Sequence, residues 1–593
     1  MQNLDKYVFL KAVFLILSVI AVYYPALDAG FIWDDDTFFT QNPIMVSPDA
    51  LYRFWFTTDP PDYFPLASTV LWIQRQLWDL NPIGYHLINI LFHAGNSYLL
   101  WRVLVRTLVP GAWFAAMIFA LHPIQVESVA WVTQIKTLQS TFFYLLAILC
   151  YLRSHLENSA RTYGLSLFLF LLALLSKTSV VMLPFVLLVY HAWKRDLPIR
   201  KAFQRTIPFF LLSLFLSLTT IWYQYNSAGA IGSGWSLSYL ERLVNAGHIV
   251  IFYLYKLIIP FDLTFVYQRW SFDPEDWFSW APHIGLITLL VFLFVKRNSW
   301  GCSVLVGFSY FVVTLFPVLG FFNIYFMLYS FVADHYQYVA GPGVIALVTA
   351  SIALKLSKVS PTVRSGGIVL AALVLMVLGT LTWKQQAIYK NSVVLWQDTL
   401  NKNPTAWIAH NNLGNEMELI GDIGKATWHY RQTLRLNPDY AEAEDNLGLA
   451  LLKLDRFEEA KSHFSKAIQL KPSFWQPRNN LGTILANEGK LSEAARLFEE
   501  VLQIDPKNAN AHNNLGLIRE TQGRFSEAIR HWEVVFGAVN RPQTHNNMGA
   551  MLLDAGRIEE AIGHFQSALS LDPQFKEARS NLNLALEQKK GVD

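Results

Sequence analysis

The sequence predicts an all-α protein, with a polytopic helical membrane domain over residues 1–390 followed by an α-solenoid over residues 391–593. Two observations support this prediction. Apolar runs near or above the ~18 residues that cross a bilayer fill the first two-thirds of the chain, whereas more than half of the charged side chains lie after residue 390. The 593 residues also exceed the size at which one hydrophobic core stops growing, which excludes a single soluble domain.

Eleven apolar segments predict membrane crossings, and the first of them is read as an uncleaved span because it is long and lacks a small-x-small cleavage site. Membrane lipids are therefore expected partners. A net charge of +3 is too small to indicate nucleic-acid binding, so we expect no nucleic-acid partner. The predicted spans are residues 7–26, 84–107, 111–131, 138–153, 162–176, 178–193, 207–225, 281–295, 302–318, 338–356 and 366–383.

Basic residues in the short loops predict the orientation of these spans, because cytoplasmic loops carry an excess of lysine and arginine. Residues 240–260 carry too many polar groups for a bilayer core, and we interpret them as a re-entrant or interfacial helix. This reading gives a cytoplasmic N-terminus, an external loop at 27–83 and an external solenoid, on the periplasmic or luminal side. A twelve-span alternative places the solenoid in the cytoplasm. The basic clusters are Arg102/Arg106, Arg153/Arg161, Lys194 to Arg205, Lys296/Arg297 and Lys355 to Arg364.

A repeat of 34 residues, once 33, follows residue 390. Its alanines and prolines keep the same step, which is the tetratricopeptide period and pattern. We predict about five repeats and a capping helix near residues 575–588, stacked into a right-handed solenoid whose concave face binds peptides in many such proteins. The repeated elements are Asn412-Leu413-Gly414, Asn446-Leu447-Gly448, Asn480-Leu481-Gly482, Asn514-Leu515-Gly516 and Asn547-Met548-Gly549.

The asparagine of each element falls on the first helix of its repeat, which lines the concave face. An amide side chain has donors and an acceptor, so a row of asparagines can hold an extended peptide backbone whatever its sequence. The alternative is that asparagine is simply common at this position of the repeat, and both readings stay open. The predicted acceptor-binding residues, called the asparagine ladder below, are Asn412, Asn446, Asn480, Asn514 and Asn547, with Asn581 in the same register.

Three carboxylates, Asp34, Asp35 and Asp36, open the external loop directly after the first span. Adjacent carboxylates repel, which raises the pKa of at least one of them unless a cation lies near. Such a cluster is a candidate general base or metal site. Helix capping or a solvated loop is the alternative explanation.

The same predicted membrane face gathers further ionisable and aromatic side chains from distant parts of the sequence. Ionisable groups at membrane depth are expensive and usually line a pocket, so their convergence favours a substrate-binding site. The predicted substrate-binding residues are Asp36, His86, Glu127, Lys136, Lys177, Asp334, His335 and Tyr336.

These motifs together resemble the transmembrane-and-tetratricopeptide O-mannosyltransferases and their bacterial relatives, within the GT-C glycosyltransferases. The resemblance rests on the acidic pair, Asn-Pro-x-Gly-Tyr-His at 81–86, His-Pro-x-x-x-Glu-x-Val-Ala at 122–130, Ser-Lys at 176–177, Ala-Asp-x-Tyr at 333–336 and the repeats. It implies an integral-membrane hexosyltransferase that takes a sugar from a polyprenyl or dolichyl phosphate and passes it to an acceptor hydroxyl outside the cytoplasm. The family's acidic pair falls on Asp34 and Asp35.

In this reading Asp34 or Asp35 is the catalytic base for an inverting transfer to Ser or Thr of an acceptor protein, and Lys136 and Lys177 stabilise the leaving lipid phosphate. No cofactor is required, although a divalent metal at Asp34–Asp36 is left open. Relatives often carry arginine where this chain has His335, which weakens the expected phosphate-binding role of that segment. The alternatives are a non-catalytic membrane scaffold for an envelope assembly and a transferase acting on a lipid or glycan.

Overall fold

The computed structural model describes residues 2–227, 236–537 and 541–592. These residues form helices, turns and connecting segments without a strand, which confirms the predicted all-α class. The chain divides into two compact units, residues 1–409 and residues 410–593.

The first unit is a set of apolar helices in which the long helix α4 packs against α1, α5 and α7, and α7 packs along α8. Its helices are α1 (Gln2–Val22), α2 (Ala50–Phe56), α3 (Pro65–Trp78), α4 (Pro82–Arg106), α5 (Ala112–Leu121), α6 (Val126–Ala130), α7 (Ile135–Glu157), α8 (Ala160–Ser176), α9 (Leu183–Lys194), α10 (Ile199–Asn226), α11 (Tyr239–Ile258), α12 (Ala281–Val295), α13 (Gly301–Leu315), α14 (Gly341–Leu356), α15 (Pro361–Gln385) and α16 (Ser392–Lys402).

Each of the eleven predicted spans lies on helical structure, but fewer helices meet a strict length and hydropathy requirement for crossing a membrane. Within the described residues five stretches meet it, or six if α5 and the segment after it, bent by 55°, form one span. The difference arises because α8, α9 and α14 are shorter apolar helices, because charged residues occupy the first turns of α1, and because several histidines and asparagines lower the mean hydropathy of α4. The count of eleven crossings therefore stays a prediction. The five stretches are Val132–Glu157, Ile199–Asn226, Trp277–Val295, Gly301–Val318 and Pro361–Tyr389.

The ambiguous stretch 240–260 forms the helix α11. It begins with a capping box, in which Ser238 and Glu241 each bond the other's backbone N–H. The Lys256 ammonium near its end donates to the carbonyls of Phe261 and Asp262 at 2.7 and 3.2 Å, so the charge is satisfied by protein. Whether α11 crosses the membrane stays a prediction.

The helix α16 belongs to the first unit, so the division lies beyond the one predicted after residue 390. The cause is a set of polar contacts at the C-terminal end of this helix. Lys402 donates to the carbonyl of Leu263 at 2.8 Å, and the Asn403 amide donates to the carbonyl of Val266 at 3.1 Å.

The second unit contains five helix pairs and a final helix within residues 410–537 and 541–592, as the 34-residue period predicts. Its helices are α17 (Trp407–Leu419), which spans the division, then α18 (Ile423–Leu436), α19 (Ala441–Leu452), α20 (Phe457–Leu470), α21 (Trp475–Asn487), α22 (Leu491–Ile504), α23 (Ala509–Thr521), α24 (Phe525–Gly537), α25 (Pro542–Asp554), α26 (Ile558–Leu571) and α27 (Lys576–Val592).

The repeated glycine allows the two helices of each repeat to pack closely. A Cβ at Gly448 would lie 2.6 Å from the Phe464 ring, and one at Gly482 would lie 2.9 Å from Phe498. Gly414, Gly516 and Gly549 face aromatic rings of their own repeats in the same way. The glycine is thus needed for space, because a buried ring of the second helix occupies the volume of a side chain.

We expect Gly448→Ala to destabilise the solenoid by about 1–3 kcal/mol, because the added methyl group overpacks against Phe464. The matched control is Gly563→Ala, where the new Cβ meets nothing within 4 Å. Since alanine is the better helix former, this control should be neutral or stabilising by up to about 1 kcal/mol. Thermal unfolding followed by circular dichroism measures both, and equal melting temperatures for the two variants would contradict the packing argument.

Candidate active site

The acidic loop is turned and fixed by the aromatic residue before it. Trp33 has a left-handed backbone with φ of 47°, which is uncommon for a residue other than glycine. Its indole packs against Trp131 and Phe265, with ring centroids 5.6 and 5.3 Å apart. This packing holds the turn, after which the three aspartates follow in sequence.

Asp35 is fully buried, and both of its carboxylate oxygens accept backbone hydrogen bonds. Oδ2 accepts from the N–H of Ile32 at 2.9 Å, and Oδ1 accepts from the N–H of Thr133 at 3.0 Å. Burial and the neighbouring Asp34 carboxylate raise the pKa of Asp35 to about 8, while the two N–H groups act in the opposite direction. Asp35 therefore ties the acidic loop to the segment that leads into α7.

The segment that receives Asp35 is itself held by a buried amide. Asn89 on α4 donates to the carbonyls of Val129, Trp131 and Val132 at 3.3, 3.0 and 3.4 Å. Carbonyls freed where α6 breaks before α7 are satisfied in this way, as buried backbone groups require. The position of Thr133 thus depends on α4.

Asp34 is the carboxylate with an open oxygen. Its Oδ1 accepts from the Thr133 hydroxyl at 3.3 Å, and Oδ2 has no hydrogen-bond partner among the described residues. Burial raises the pKa of Asp34 to about 6, Lys136 lowers it and Asp62 raises it. A carboxylate with this pKa and one free oxygen is suited to accept a proton near neutral pH.

Asp36 lies apart from the other two carboxylates. Its side chain is exposed, and Oδ1 accepts from the Thr40 hydroxyl at 2.5 Å, one turn along. Asp34 and Asp35 thus share Thr133 as a partner, whereas Asp36 is bonded within its own turn. A divalent metal at Asp34–Asp36 stays a prediction.

Two lysines face the acidic side chains. Lys177, at the end of α8, donates to the Thr137 hydroxyl at 2.8 Å and to the Gln134 side-chain oxygen at 3.4 Å. The Lys136 ammonium lies 4.5 Å from the centroid of the Phe38 ring. Both ammonium groups lie within electrostatic range of Asp34, as the predicted convergence requires.

Asp62 belongs to the same cluster, although the sequence analysis did not select it. Its Oδ1 accepts from the Gln224 amide of α10 at 3.2 Å. Burial raises its pKa, whereas Lys136 and Lys177 lower it. The sequence signal for Asp62 is weak: an acidic residue precedes two aromatic residues and a proline in the same external loop. Lone aspartates in such loops often have no function.

Glu127 and His335 form a buried pair. Glu127 Oε1 lies 2.8 Å from His335 Nδ1, and Oε2 accepts from the His335 backbone N–H at 3.1 Å. Beside them, Asp334 accepts from the Tyr267 hydroxyl at 2.9 Å. Tyr336 is half-buried, with its ring 4.4 Å from that of His335. These residues join α6 to the segment before α14, and Lys177 is within electrostatic range of Glu127.

Within the described residues, no hydrogen bond connects the His86 side chain to the acidic cluster. It is fully buried on α4, beside the backbone of Ala29 and Gly30, in the segment that leads from α1 to the acidic loop. Of the predicted substrate-binding residues, Lys136 and Lys177 are therefore the ones whose charged atoms the structure brings to Asp34.

The asparagine ladder in the second unit bridges neighbouring repeats. Asn480 donates to Asp445 at 3.0 Å, Asn514 donates to Asn479 at 3.4 Å, and Asn446 donates to Asn411 at 3.3 Å. Asn581 makes the same contact to the repeat before it. Each of these bonds uses an Nδ2 donor, so these four asparagines have a structural role, and the acceptor-binding role of the ladder stays a prediction.

Comparisons with known proteins agree with this organisation. Residues 482–523 match the TPR repeat model, and residues 441–474 and 542–575 match the tetratricopeptide repeat model. The solved structure of YrrB, described as a TPR protein with an unusual peptide-binding site, is 19% identical and covers 34% of this chain and 100% of its own, with a TM-score of 0.28. The repeat models therefore place tetratricopeptide repeats in the second unit, and the first unit contains apolar helices long enough to cross a membrane.

Several relatives of this chain are named for one activity. The chain is 24% identical over 431 residues to the protein O-mannosyl-transferase F38B6.6 of Caenorhabditis elegans, covering 69% of this chain and 59% of that protein. It is 32% identical over 160 residues to the protein O-mannosyl-transferase TMTC2 of Mus musculus, covering 24% and 19%. The Homo sapiens TMTC3 is 30% identical over 199 residues, covering 31% and 22%. These relatives confirm the predicted resemblance, while the chain spans less than two-thirds of the length of each.

Proposed function

We propose that this protein is an integral-membrane glycosyltransferase that moves a sugar from a lipid-phosphate donor to Ser or Thr hydroxyls of proteins on the external side of a membrane. The observation that carries the proposal is the Asp34 carboxylate, which has one free oxygen and lies within electrostatic range of two ammonium groups. A base and a phosphate-binding cation side by side are what such a transfer needs. The names of the relatives support the same reaction class.

In the proposed reaction Asp34 takes the proton of the acceptor hydroxyl as its oxygen attacks the anomeric carbon. The bond between that carbon and the phosphate oxygen breaks, and the sugar inverts. The leaving lipid phosphate gains negative charge, which the ammonium groups of Lys136 and Lys177 stabilise through charge-assisted hydrogen bonds. Catalysis of this kind needs no cofactor.

Asp35 acts in this proposal as a positioning residue. Its two oxygens are occupied by the N–H groups of Ile32 and Thr133, so it has no free oxygen for an acceptor proton. Its effect is to hold Asp34 beside Thr133 and the start of α7, where Lys136 lies. The two adjacent aspartates, equivalent in sequence, thus have different parts in the reaction.

The solenoid would hold the acceptor protein. In Asn480 and Asn514 one N–H of the amide is used between repeats, and the Oδ1 acceptor has no hydrogen-bond partner among the described residues. An extended backbone laid along the ladder could donate its N–H groups to these oxygens. For this to serve the reaction, the solenoid must lie on the same side of the membrane as Asp34, as the positive-inside reading places it.

We expect Asp34→Asn to reduce turnover by ~10²–10⁴-fold, because the amide cannot accept the proton. Asp36→Asn is the matched control, since this exposed carboxylate bonds Thr40 and should tolerate the change with near-normal turnover. Transfer of labelled sugar from the lipid donor to a peptide measures both. In the unmodified protein kcat/KM should fall as the pH drops below about 6, where Asp34 becomes protonated. Near-normal transfer by Asp34→Asn would remove Asp34 as the base, whereas no transfer by the unmodified protein would favour the scaffold alternative.

We expect Lys177→Met to raise KM for the lipid-phosphate donor more than KM for the peptide acceptor, because the lost ammonium acts on the phosphate. The control is Lys194→Met, a lysine whose ammonium donates to the Thr107 carbonyl at 2.8 Å. Initial rates measured while each substrate is varied separate the two constants. Equal changes for donor and acceptor would leave Lys177 with a structural role through Thr137.

We expect replacement of Asn446, Asn480 and Asn514 together by alanine to lower transfer to a folded protein while sparing transfer to a short peptide. Each lost hydrogen bond to the acceptor weakens capture by roughly 0.5–1.5 kcal/mol and leaves the chemical step intact. The control replaces Asp445 and Asn479 by alanine, which removes bonds between repeats but keeps the ladder oxygens. Equal losses in both variants would show that the ladder only stabilises the solenoid.

A further inference from the structure

A second polar cluster lies at the far ends of α7 and α9. His155 on α7, His191 on α9 and Asp196 just after α9 bring two imidazole nitrogens and a carboxylate within 4.8 Å of one another. His191 Nδ1 is 2.7 Å from Asp196 Oδ1, and His155 Nε2 is 3.0 Å from Asp196 Oδ2. The two imidazole rings meet edge to face, with centroids 5.2 Å apart.

The end of α9 creates this cluster. Arg195 follows the helix in the left-handed conformation, with φ of 53°, and its N–H bonds the His191 carbonyl at 2.8 Å. This is a common way for a helix to end, and it reverses the chain direction. The reversal places the Asp196 carboxylate beside the imidazole of His191, in the last turn of α9.

The orientation of the His191 ring is fixed by a contact to its second nitrogen, Nε2. Its imidazole is fully buried, and Nε2 lies 2.9 Å from the hydroxyl of Tyr151, one turn before His155 on α7. Tyr151 is held in turn by Arg205, whose guanidinium lies 5.4 Å from the tyrosine ring centroid and donates to Ser154 at 2.8 Å. Histidines that bind metals nearly always have such a partner on the second nitrogen, which fixes the ring and its tautomer.

We propose that His155, His191 and Asp196 form a binding site for a divalent transition metal, with Zn²⁺ as the best match. Two imidazole nitrogens and one carboxylate oxygen, with a fourth position left for water, are a donor set that zinc accepts. On binding, Nδ1 of His191 would ligate the metal, and its proton would move to Nε2 and be donated to the Tyr151 oxygen. The hydroxyl can serve in both states because it is a donor and an acceptor.

The site is reachable from solvent and can adjust to a metal. The side chains of His155 and Asp196 are 19% and 24% exposed, whereas that of His191 is closed off. A donor separation of up to 4.8 Å exceeds that of atoms sharing a zinc ion at ~2.0–2.2 Å each, so the histidines must approach. His155 lies in the last turns of α7 and is the side chain free enough to do so.

The proposed metal site is separate from the candidate active site around Asp34. Lys136 lies at the beginning of α7 and His155 near its end, so at 1.5 Å per residue the two are roughly 30 Å apart along the helix. The metal would join the ends of α7 and α9 to the connection that leads into α10. This inference does not depend on the proposed transferase activity.

The test uses the full chain, purified in detergent without a histidine tag and stripped of metal, titrated with Zn²⁺ against a chromophoric chelator. One tight site per chain is expected, and Co²⁺ should give the visible bands of a four-coordinate site. Asp196→Asn and His155→Ala should each lower Zn²⁺ affinity more than Tyr151→Phe, whose loss of an outer partner should cost ~10–100-fold.

The control is His429→Ala. It disrupts the His410–His429 pair of the solenoid, whose Nδ1 atoms are 3.1 Å apart with no carboxylate between them, and it should leave the tight site unchanged. Unchanged zinc affinity in Asp196→Asn, or no tight zinc binding by the unmodified chain, would overturn the proposal. If metal-free Asp196→Asn melts at a lower temperature than the metal-free unmodified chain, its lost zinc affinity could reflect misfolding. The zinc affinity of Tyr151→Phe then tests the proposal, since this variant keeps all three ligands. Full affinity in Tyr151→Phe would then count against the site.

Discussion

The geometry of the candidate active site around Asp34 depends on one buried carboxylate. Asp35 has no side-chain charge opposite it, and the N–H groups of Ile32 and Thr133 are its partners instead. Because the side chain is fully buried, breaking either bond would leave a buried polar group unsatisfied, so the two bonds link the acidic loop to the start of α7. Asp34 and Lys136, 102 positions apart in sequence, face each other because of it.

A second buried carboxylate, that of Glu127, holds the segment before α14 against α6. Glu127 accepts the backbone N–H of His335 and contacts its Nδ1, so it uses the two groups through which this histidine could most directly hold an anion. A neutral imidazole bound in this way is a poor replacement for the arginine of the related motif. In the proposed reaction the positive charge at the phosphate would come from Lys136 and from Lys177, whose pKa burial lowers to about 7. Breaking the Glu127–His335 pair would leave a buried polar group without its partner, which is costly.

The repeats and the helical character of every predicted span were predictable from the sequence, because both follow from local periodicity. The pairing of acidic and basic residues around Asp34 was predictable as a convergence of motifs on one membrane face. The separate roles of Asp34 and Asp35 were not, since they depend on which carboxylate meets the N–H of Thr133, a contact made through the three-dimensional fold. The Asp62 segment was visible beside the acidic triplet, but Asp62 was not selected as a site residue, and the His155–His191–Asp196 cluster was missed because each of its residues is ordinary in its own stretch of sequence.

The asparagine ladder has a direction. Each Nδ2 atom donates one hydrogen to the preceding repeat, so Asn480 and Asn514 still offer the Oδ1 acceptor and one remaining N–H. The Oδ1 acceptor can hold a strand only through a backbone N–H of that strand, which proline lacks, whereas the remaining N–H can hold any backbone carbonyl. If the solenoid holds an acceptor chain, a proline-rich segment would therefore keep half of these bonds and lose the other half, so the groove would bind such segments more weakly than other sequences.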